Sequence, residues 1–447
     1  MTERPNIIVF FSDQQRWDTC GCYGQRLPIS PNLDRVAGEG VRFESAFTCQ
    51  PVCGPARACL QTGRYATELG CHTNNRALPL HEPTVARWLA EAGYETSYIG
   101  KWHLASDEQH NFREAPVPPE RRGGYRDFWL AADVLEFTSH PFEGHVFDGA
   151  GRPVDFAGYR PDRLTDMTLD YLSGRDQTRP FFLFISHIEP HHQNDMKRFV
   201  GPEGSAERFA DYDVPGDLVG TGGDWRENYP DYLGACWSLD HNFGRIERLL
   251  AEQGLLEHTL LIYTSDHGCH FCTRNNEYKR SCHDGCLRIP LVLRGPGFTG
   301  GQVRSELASL MDIPPTVLAA AGVPVPETMR GRPLQDAGAG RVGADVPDAP
   351  WRQEVFAQIS ESQVGRCIRT DRWKYSVVAP DKQGWRDPGS EVYVEEFLYD
   401  LSADPHEQHN LVADPAYADV RTELAERLKR RIVQAGESIP EIRAVSG

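Results

Sequence analysis

The sequence lacks an excess of positive charge. Its 447 residues include 47 Lys and Arg against 64 Asp and Glu, so the formal net charge is −17. Because an acidic surface repels phosphate backbones and anionic lipid heads, neither nucleic acid nor a membrane surface is an expected partner. An anionic small substrate would need a local group of cations that overcomes the field of the whole protein.

A long apolar run and an export signal are also lacking. No run reaches the roughly 18 apolar residues of a membrane-spanning helix, and the opening MTERPNIIVFF has no basic segment before an apolar one. We therefore expect a cytoplasmic protein, with a trimmed export signal as the alternative. In a reducing compartment most of the 12 cysteines would be free thiols. A zinc knuckle, or four buried or semi-buried thiols, are the two interpretations of Cys269, Cys272, Cys282 and Cys286.

Apolar segments that are typical of buried strands alternate with helical patterns. Strands are predicted at 6–12, 96–99, 180–186, 259–265 and 289–295, and helices at 81–93, 161–172 and 239–254. This alternation predicts an α/β fold with a large mixed, mostly parallel sheet sandwiched by helices.

Polar residues follow the carboxyl ends of several predicted strands. They are Asp13, Lys101, either His187 or His191, and Asp266. Because the sites of open α/β sheets lie outside the carboxyl ends of the strands, these residues are expected to meet at one place.

After about residue 300 the pattern changes. Residues 335–350, QDAGAGRVGADVPDAP, predict a linker or long loop. Short antiparallel strands and an amphipathic helix near 417–434 are predicted beyond it. We therefore divide the chain into a catalytic α/β domain, 1–345, and a smaller C-terminal α+β subdomain, 346–447.

The segment QPVCGPARACLQTGRY, 50–65, places Cys53 at a Pro- and Gly-rich turn that leads into a helix. Arg57 lies one helical turn later, where it can reach back towards the cysteine and stabilise an anion. The segment resembles the type I sulfatase signature, C-x-P-x-R followed by T-G. A buried thiol beside a proline turn is the alternative interpretation.

The resemblance implies that a formylglycine-generating enzyme oxidises Cys53 to Cα-formylglycine (3-oxoalanine). A hydrated aldehyde carries two hydroxyls on one carbon, so one can attack sulfur while the other later expels sulfate and restores the aldehyde. A serine hydroxyl could attack sulfur in the same way, but it has no second hydroxyl on the same carbon to expel the sulfate. Because such a hydroxyl needs a cation to lower its pKa, a metal site is expected.

Two further segments resemble the metal motif of this family. They are FFSDQQRWDTCGCYG, 10–24, and TSDHG, 264–268, and they imply that Asp13, Gln14, Asp266 and His267 are ligands together with residue 53. Many relatives have Asp where this chain has Gln14, so one negative charge is missing. Oxygen-dominated ligation favours calcium, with manganese or magnesium as alternatives.

Three more segments imply groups that act on the sulfate. IGKWHL resembles the family's G-K-W-H motif, in which Lys101 would bind sulfate and His103 would take a proton from the second hydroxyl. Both side chains would point the same way if the backbone stays extended. SHIEPHHQ implies a sulfate contact for His191. Lys279, near the R-I-P-L segment, would hold sulfate and help the leaving oxygen to depart. His187 and His192 have either a structural or a substrate-facing position, and no family role transfers to Cys269 or His270.

The resemblance runs from residue 6 to residue 411 and is weakest at 105–160 and 195–230, where substrate loops are expected. It implies a sulfatase of the alkaline phosphatase superfamily that acts on a sulfated sugar. The nearest alternative is a phosphonate monoester or phosphodiester hydrolase of the same superfamily, against which Lys101 and His103 argue. The alternative from another class is a non-catalytic anion- or zinc-binding protein with an unmodified Cys53.

Overall fold

The computed structural model describes residues 4–337 and 351–445. The strands, β1 to β19 in chain order, are Asn6–Asp13, Val41–Phe43, Ala46–Phe47, Glu95–Lys101, Phe128–Ala132, Ser139–His140, Glu143–Asp148, Pro153–Ala157, Phe181–Pro190, Thr259–Ser265, Arg288–Ile289, Leu291–Arg294, Gln302–Arg304, Ala308–Ser309, Glu354–Ile359, Gly365–Thr370, Trp373–Val378, Val392–Asp400 and Glu441–Arg443. The helices, α1 to α10, are Pro31–Glu39, Cys53–Thr62, Val85–Glu91, Leu135–Thr138, Arg160–Gly174, Ser205–Arg208, Trp225–Glu252, Asp284–Leu287, Ile313–Ala320 and Ala418–Gln434.

A large mixed sheet forms the centre of the molecule. Its hydrogen-bonded order is β13-β2-β12-β10-β1-β9-β4-β5-β7-β6, with β8 paired to β7. The central strands β10-β1-β9-β4-β5 are parallel, whereas β12 and β7 join them antiparallel. The strand predicted at 289–295 is therefore not part of the parallel set. It divides into β11 and β12 at Pro290, which has no N–H to donate to a ladder.

Helices cover both faces of this sheet, as predicted. Alternate residues of β1 point to opposite faces. Ile7, Val9 and Phe11 belong to one apolar cluster, which includes residues of α2, α3 and α9. Ile8 and Phe10 belong to another, which includes residues of α1, α5 and α7. The central strands are buried on both sides, and this explains their nearly continuous apolar sequences.

The C-terminal part of the chain forms a separate five-stranded sheet, β15-β16-β17-β18-β19. Its first four strands are antiparallel, β19 runs parallel to β18, and α10 packs on the sheet. Another apolar cluster joins Val355 and Ile359 of this sheet to Phe47 and Leu287 of the larger part. Most of the predicted linker, including the proposed boundary at 345/346, lies outside the described residues, so the domain division stays a prediction.

No helix in the described part of the chain combines the length and the apolar character that crossing a membrane requires.

Candidate active site

The carboxyl ends of neighbouring parallel strands bring the predicted polar residues together. β1 ends at Asp13, and β10 on one side of it is followed by Asp266. β9 on its other side ends at Pro190, directly before His191, and β4 next to β9 ends at Lys101. The predicted convergence at one edge of the sheet is therefore confirmed.

Cys53 is the first residue of α2 and lies at the centre of this edge. Its Sγ is 3.3 Å from Asp13 Oδ1 and 3.3 Å from His267 Nε2, and it accepts a hydrogen bond of 2.9 Å from Lys279 Nζ. Burial, followed by the nearby Asp13 carboxylate, raises the pKa of the Cys53 thiol to about 12. An unmodified Cys53 is therefore a protonated thiol, which is a poor nucleophile.

The Cys53 thiol belongs to a buried group of potential metal ligands. Single ligand atoms of Asp13, Cys53, Asp266 and His267 all lie within 4.8 Å of one another. His267 Nδ1 donates to the Gly268 carbonyl oxygen at 2.9 Å. Nε2 therefore carries a free electron pair, and it faces the carboxylates. Burial and then Lys279 lower the pKa of His267 well below its usual value, so the ring is neutral and able to ligate.

Gln14 lies beside this group and carries an amide oxygen. Its backbone has a φ of 70°, and its N–H donates to Asp266 Oδ1 at 2.9 Å. The side-chain Nε2 donates to Cys269 Sγ at 3.4 Å. Gln14 Oε1 and Asp266 Oδ2 are buried without a hydrogen-bond partner among the described residues. Two such oxygens each cost about 1–3 kcal/mol unless a ligand satisfies them, so the site fits a hard divalent cation.

The structure does not support a zinc knuckle at Cys269, Cys272, Cys282 and Cys286. Within the described ranges, these thiols do not form a group of mutually close ligands like the one around Cys53. Cys269 is buried in one apolar cluster, and Cys282 is buried in another together with Cys367. The structure favours the alternative, since Cys269, Cys282 and Cys286 are buried thiols and Cys272 is half-buried.

Two cations hold the Asp13 carboxylate. Arg57 Nη2 and Lys101 Nζ each lie 2.9 Å from Asp13 Oδ2. Burial alone would raise the pKa of Asp13, but Lys101 and Arg57 hold it well below its usual value. Arg57 also donates to Ser186 Oγ at 2.7 Å and to the Lys101 carbonyl at 2.9 Å. Arg57 therefore orients the carboxylate from behind and does not form the wall of the pocket.

The expectation of an extended backbone from Lys101 to His103 is wrong. β4 ends at Lys101, and His103 has a φ of 59°. Its N–H donates to the Asp133 carbonyl at 2.6 Å, and the Asp133 carboxylate accepts the next three backbone N–H groups, each at 2.9 Å. These bonds turn the chain, yet His103 still lines the pocket. Burial and then Lys101 lower its pKa well below the usual value, so the neutral ring can accept a proton.

Lys279 joins the nucleophile position to His191. Its Nζ donates to Cys53 Sγ and to His191 Nε2, both at 2.9 Å. His191 Nδ1 donates to the His192 carbonyl at 2.6 Å, so Nε2 is the acceptor. His270, for which the sequence offered no role, contacts the Lys279 carbonyl at 3.1 Å through Nε2 and thereby positions this lysine.

A pocket of about 300 Å³ opens over these groups. Its lining residues are Gln14, Cys53, Asn74, His103, Glu136, His191, His192, Asn194, Asn276, Glu277, Tyr278, Lys279 and Arg280. His192, which the sequence left without a role, faces the pocket, whereas His187 is buried against Phe10 with ring centroids 4.8 Å apart.

Sequence reasoning missed several of these lining residues. Asn74 accepts the Gly54 N–H at the start of α2 at 2.9 Å, and no motif marks it. Glu136 lies in the stretch 105–160, where the weak resemblance predicted substrate loops, and that weakness was the one available signal. The stretch 195–230, for which the same was predicted, contributes no residue to the lining among the described residues.

Known protein families and proteins match this chain over most of its length. The family model for the sulfatases matches residues 5–323, and the one for the C-terminal part of N-sulphoglucosamine sulphohydrolase matches residues 276–434. The uncharacterized sulfatase YidJ of Escherichia coli (strain K12) is 30% identical over 462 residues, which cover 95% of this chain and 86% of that protein.

Two further relatives carry information on substrates. The N-acetylglucosamine-6-O-sulfatase of Bacteroides thetaiotaomicron is 26% identical to this chain. The matched region covers 98% of this chain and 88% of that protein. A solved structure of a protein in complex with its substrate, D-glucosamine-2-N,6-O-disulfate, has a TM-score of 0.77 and 25% identity. It covers 98% of this chain and 99% of that one.

Proposed function

The chain belongs to the sulfatase family and is a sulfuric ester hydrolase, and from this premise we propose that it removes sulfate from sulfated carbohydrates. Two relatives support a sugar as the substrate. One is an N-acetylglucosamine-6-O-sulfatase, and the other binds a glucosamine disulfate as its substrate. The observation that carries the proposal is the position of Cys53 Sγ between the acidic metal-ligand group and the Lys279 ammonium.

We propose that residue 53 acts as hydrated formylglycine and that calcium is the metal. Asp13, Gln14, Asp266 and His267 would hold the ion. The ligand atoms of Asp13, Asp266 and His267 converge, and Gln14 Oε1 and Asp266 Oδ2 lack hydrogen-bond partners among the described residues. A bound divalent cation supplies the positive charge that lowers the pKa of a hydroxyl group. Magnesium and manganese are the alternatives, since both accept oxygen-rich sites.

The surrounding side chains have distinct roles in this proposal. Lys279, held by His191, binds a sulfate oxygen and stabilises charge on the departing oxygen. The neutral His103 ring accepts the proton of the second hydroxyl during release. Arg57 and Lys101 keep Asp13 ionised and oriented, and a sulfate contact for Lys101 stays a prediction.

Peptide mass spectrometry tests the modification. In protein produced together with a formylglycine-generating enzyme, the peptide that contains residue 53 should be lighter than the cysteine form by about 18 Da, from elementary composition and the known oxidation chemistry of cysteine. An intact cysteine in a fully active sample would contradict the proposal. Maturation by this enzyme and a cytoplasmic location both stay predictions.

Kinetics of Cys53→Ala test the nucleophile. This variant should lose turnover of 4-nitrophenyl sulfate, because it removes the attacking group. Cys59→Ala is the matched control, since Cys59 is a buried thiol of the same helix that packs against Met311, away from the pocket. The control should keep its activity. Retained activity in Cys53→Ala would rule out this residue as the nucleophile.

The same assay separates the nearest alternative. A phosphonate monoester or phosphodiester hydrolase of this fold would turn over 4-nitrophenyl phosphodiesters better than 4-nitrophenyl sulfate. We expect the larger kcat/KM with the sulfate, because the site contains Lys101 and His103, the pair that argues against the alternative. A far weaker turnover of the sulfate would favour the alternative.

A further inference from the structure

A carboxylate lies in the wall of a pocket that receives an anionic group. Glu136 belongs to α4, which begins three residues after the end of β5, and it lines the pocket beside Cys53 and His103. Its Oε2 lies 3.2 Å from Lys101 Nζ and is buried without a hydrogen bond to any described residue. A carboxylate here lowers the affinity of the pocket for anions unless it recognises another part of the substrate.

The positive charges close to Glu136 are already engaged. Lys101 lies between Asp13 and Glu136, at 2.9 Å and 3.2 Å. Of the cationic side chains that line the pocket in the described residues, Lys279 is committed to the position of residue 53. The second is Arg280, which forms ion pairs with both Glu277 and Glu361. A second anionic group on the substrate would therefore meet Glu136 without an uncommitted cation in the described part of the pocket wall.

We propose that Glu136 is a specificity-determining residue. It favours sulfated sugars that carry an ammonium group or a hydroxyl donor on the sulfated ring, and it disfavours a second sulfate or carboxylate there. An ionised carboxylate only accepts hydrogen bonds, so it rewards a donor and repels an anion. The inference rests on the proposed function, because it assumes that the sulfate occupies this pocket.

A purely structural role for Glu136 makes a different prediction. If the carboxylate served only to hold Lys101, its removal would change turnover of every sulfate ester by the same factor. A role in specificity instead changes the ranking of substrates that differ in one charge. The relative affinity for matched sugars is therefore the informative measurement.

The test uses three glucosamine 6-sulfates as competitors of 4-nitrophenyl sulfate hydrolysis. Their 2-position carries an ammonium, an N-acetyl or an N-sulfo group, so the charge changes from positive through neutral to negative. For the wild type we expect the inhibition constant of the N-sulfo compound to exceed that of the ammonium compound by about tenfold, as Coulomb interaction over a few ångströms in a partly solvated pocket implies. In Glu136→Gln this ratio should fall to about two or less, because the amide keeps the shape and loses the charge.

Glu143→Gln is the control, since it removes one negative charge from an exposed position of β7 that does not line the pocket. It should keep the wild-type ratio. Glu136→Ala should give the same shift as Glu136→Gln, and it covers the case in which the amide variant does not fold. An unchanged ratio in a folded Glu136 variant, or no competition by any of the sugars, overturns the inference alone. A wild type that does not hydrolyse 4-nitrophenyl sulfate overturns the proposed function, and this inference with it.

Discussion

The ammonium of Lys279 is the one described cation that contacts the nucleophile position directly, through a bond of 2.9 Å to Cys53 Sγ. Burial alone would lower its pKa, but Cys53 and then Asp13 raise it, so the group stays charged. A charged donor at this point stabilises the oxygen that departs and the oxygens of sulfate. Lys279 thus places one positive charge beside residue 53, where negative charge develops in the proposed reaction.

Lys279→Ala should therefore harm poor leaving groups more than good ones. We expect kcat/KM to fall by about 10³-fold for aryl sulfates of weakly acidic phenols and by about 10-fold for those of strongly acidic phenols, as for the loss of an oxyanion donor. Steady-state kinetics across a series of phenols measures the difference. Lys279→Arg, which keeps the charge, should show a weaker dependence. An equal loss across the series would argue against the role in departure.

Gln14 reduces the negative charge of the ligand group by one. Gln14→Asp should tighten calcium binding by about tenfold, because affinity in oxygen sites rises with the number of charged ligands. Gln14→Ala should weaken calcium binding, since it removes an oxygen that lacks a hydrogen-bond partner among the described residues. Isothermal titration calorimetry on protein treated with a chelator measures both changes. Wild-type affinity in Gln14→Ala would show that the amide is not a ligand.

Among the elements, β4 carries Lys101 to the site and pairs in parallel with β9. Gly100 has a φ of 106°, and a Cβ at this position would lie 2.0 Å from the Ser186 carbonyl oxygen. The lysine that holds Asp13 is the next residue. A left-handed glycine beside the β9 backbone therefore fixes the position of a residue in the site.

Gly100→Ala should destabilise the protein by about 2–4 kcal/mol, because it combines a left-handed φ with a clash against a rigid backbone. Activity should fall as well, since Lys101 moves with the strand. Gly93→Ala is the matched control, because Gly93 also has a positive φ, 90°, but a Cβ there would meet no described atom within 4 Å. The control should lose only about 1–2 kcal/mol. Urea denaturation would measure the free energy of unfolding of both variants. Equal losses of stability in the two would show that the structure relieves the clash at residue 100.

A second element, α2, brings residue 53 to the site by its first turn. The peptide dipoles of a helix favour negative charge at its N-terminus, and Cys53 lies there with its Sγ beside Lys279. The Gly54 N–H is bound by Asn74, whose own N–H is held by Glu361 at 2.7 Å. The start of this helix is thus supported by a residue of the C-terminal part of the chain.

At the scale of the whole molecule, a buried ion network joins the two sheets. Lys374 of β17 forms ion pairs with Asp284 of the larger part and with Glu407. Glu407 Oε2 also accepts the Asp284 N–H at 2.7 Å. Burial alone would lower the pKa of Lys374, but Asp284 and Glu407 raise it, so the lysine is charged.

Lys374→Met should lower the thermal unfolding midpoint and the activity together. The substitution leaves the buried Glu407 without a counter-charge and leaves Asp284 only its contact with Arg369 at 3.4 Å. This loss costs about 3–5 kcal/mol. Differential scanning calorimetry measures the midpoint, with Lys382→Met as the control because Lys382 is partly exposed and lies 3.9 Å from Asp381. An unchanged midpoint in Lys374→Met would show that the network contributes nothing to holding the two parts together.

The sequence by itself determined the chemistry and the sheet that carries it. The strand at 259–265 was predicted with the bounds that the structure has, and the ends of four strands pointed to one site. Motif spacing identified the residues around Cys53, and the structure brings Asp13, Lys279 and His267 within 3.3 Å of its Sγ. These features could be predicted because hydrophobic periodicity and short motifs are local properties of the chain.

Only the tertiary structure decided the wall of the pocket and the details behind it. No motif marks Asn74, and the weak resemblance of the stretch 105–160 did not single out Glu136. The turn at His103 depends on Asp133, which follows a different strand of the sheet. Likewise, Arg57 was expected to stabilise an anion beside the cysteine, and the structure shows that it contacts the carboxylate of Asp13, 44 residues away in sequence. Such positions follow from contacts between segments that are distant in sequence, and folding alone brings those segments together.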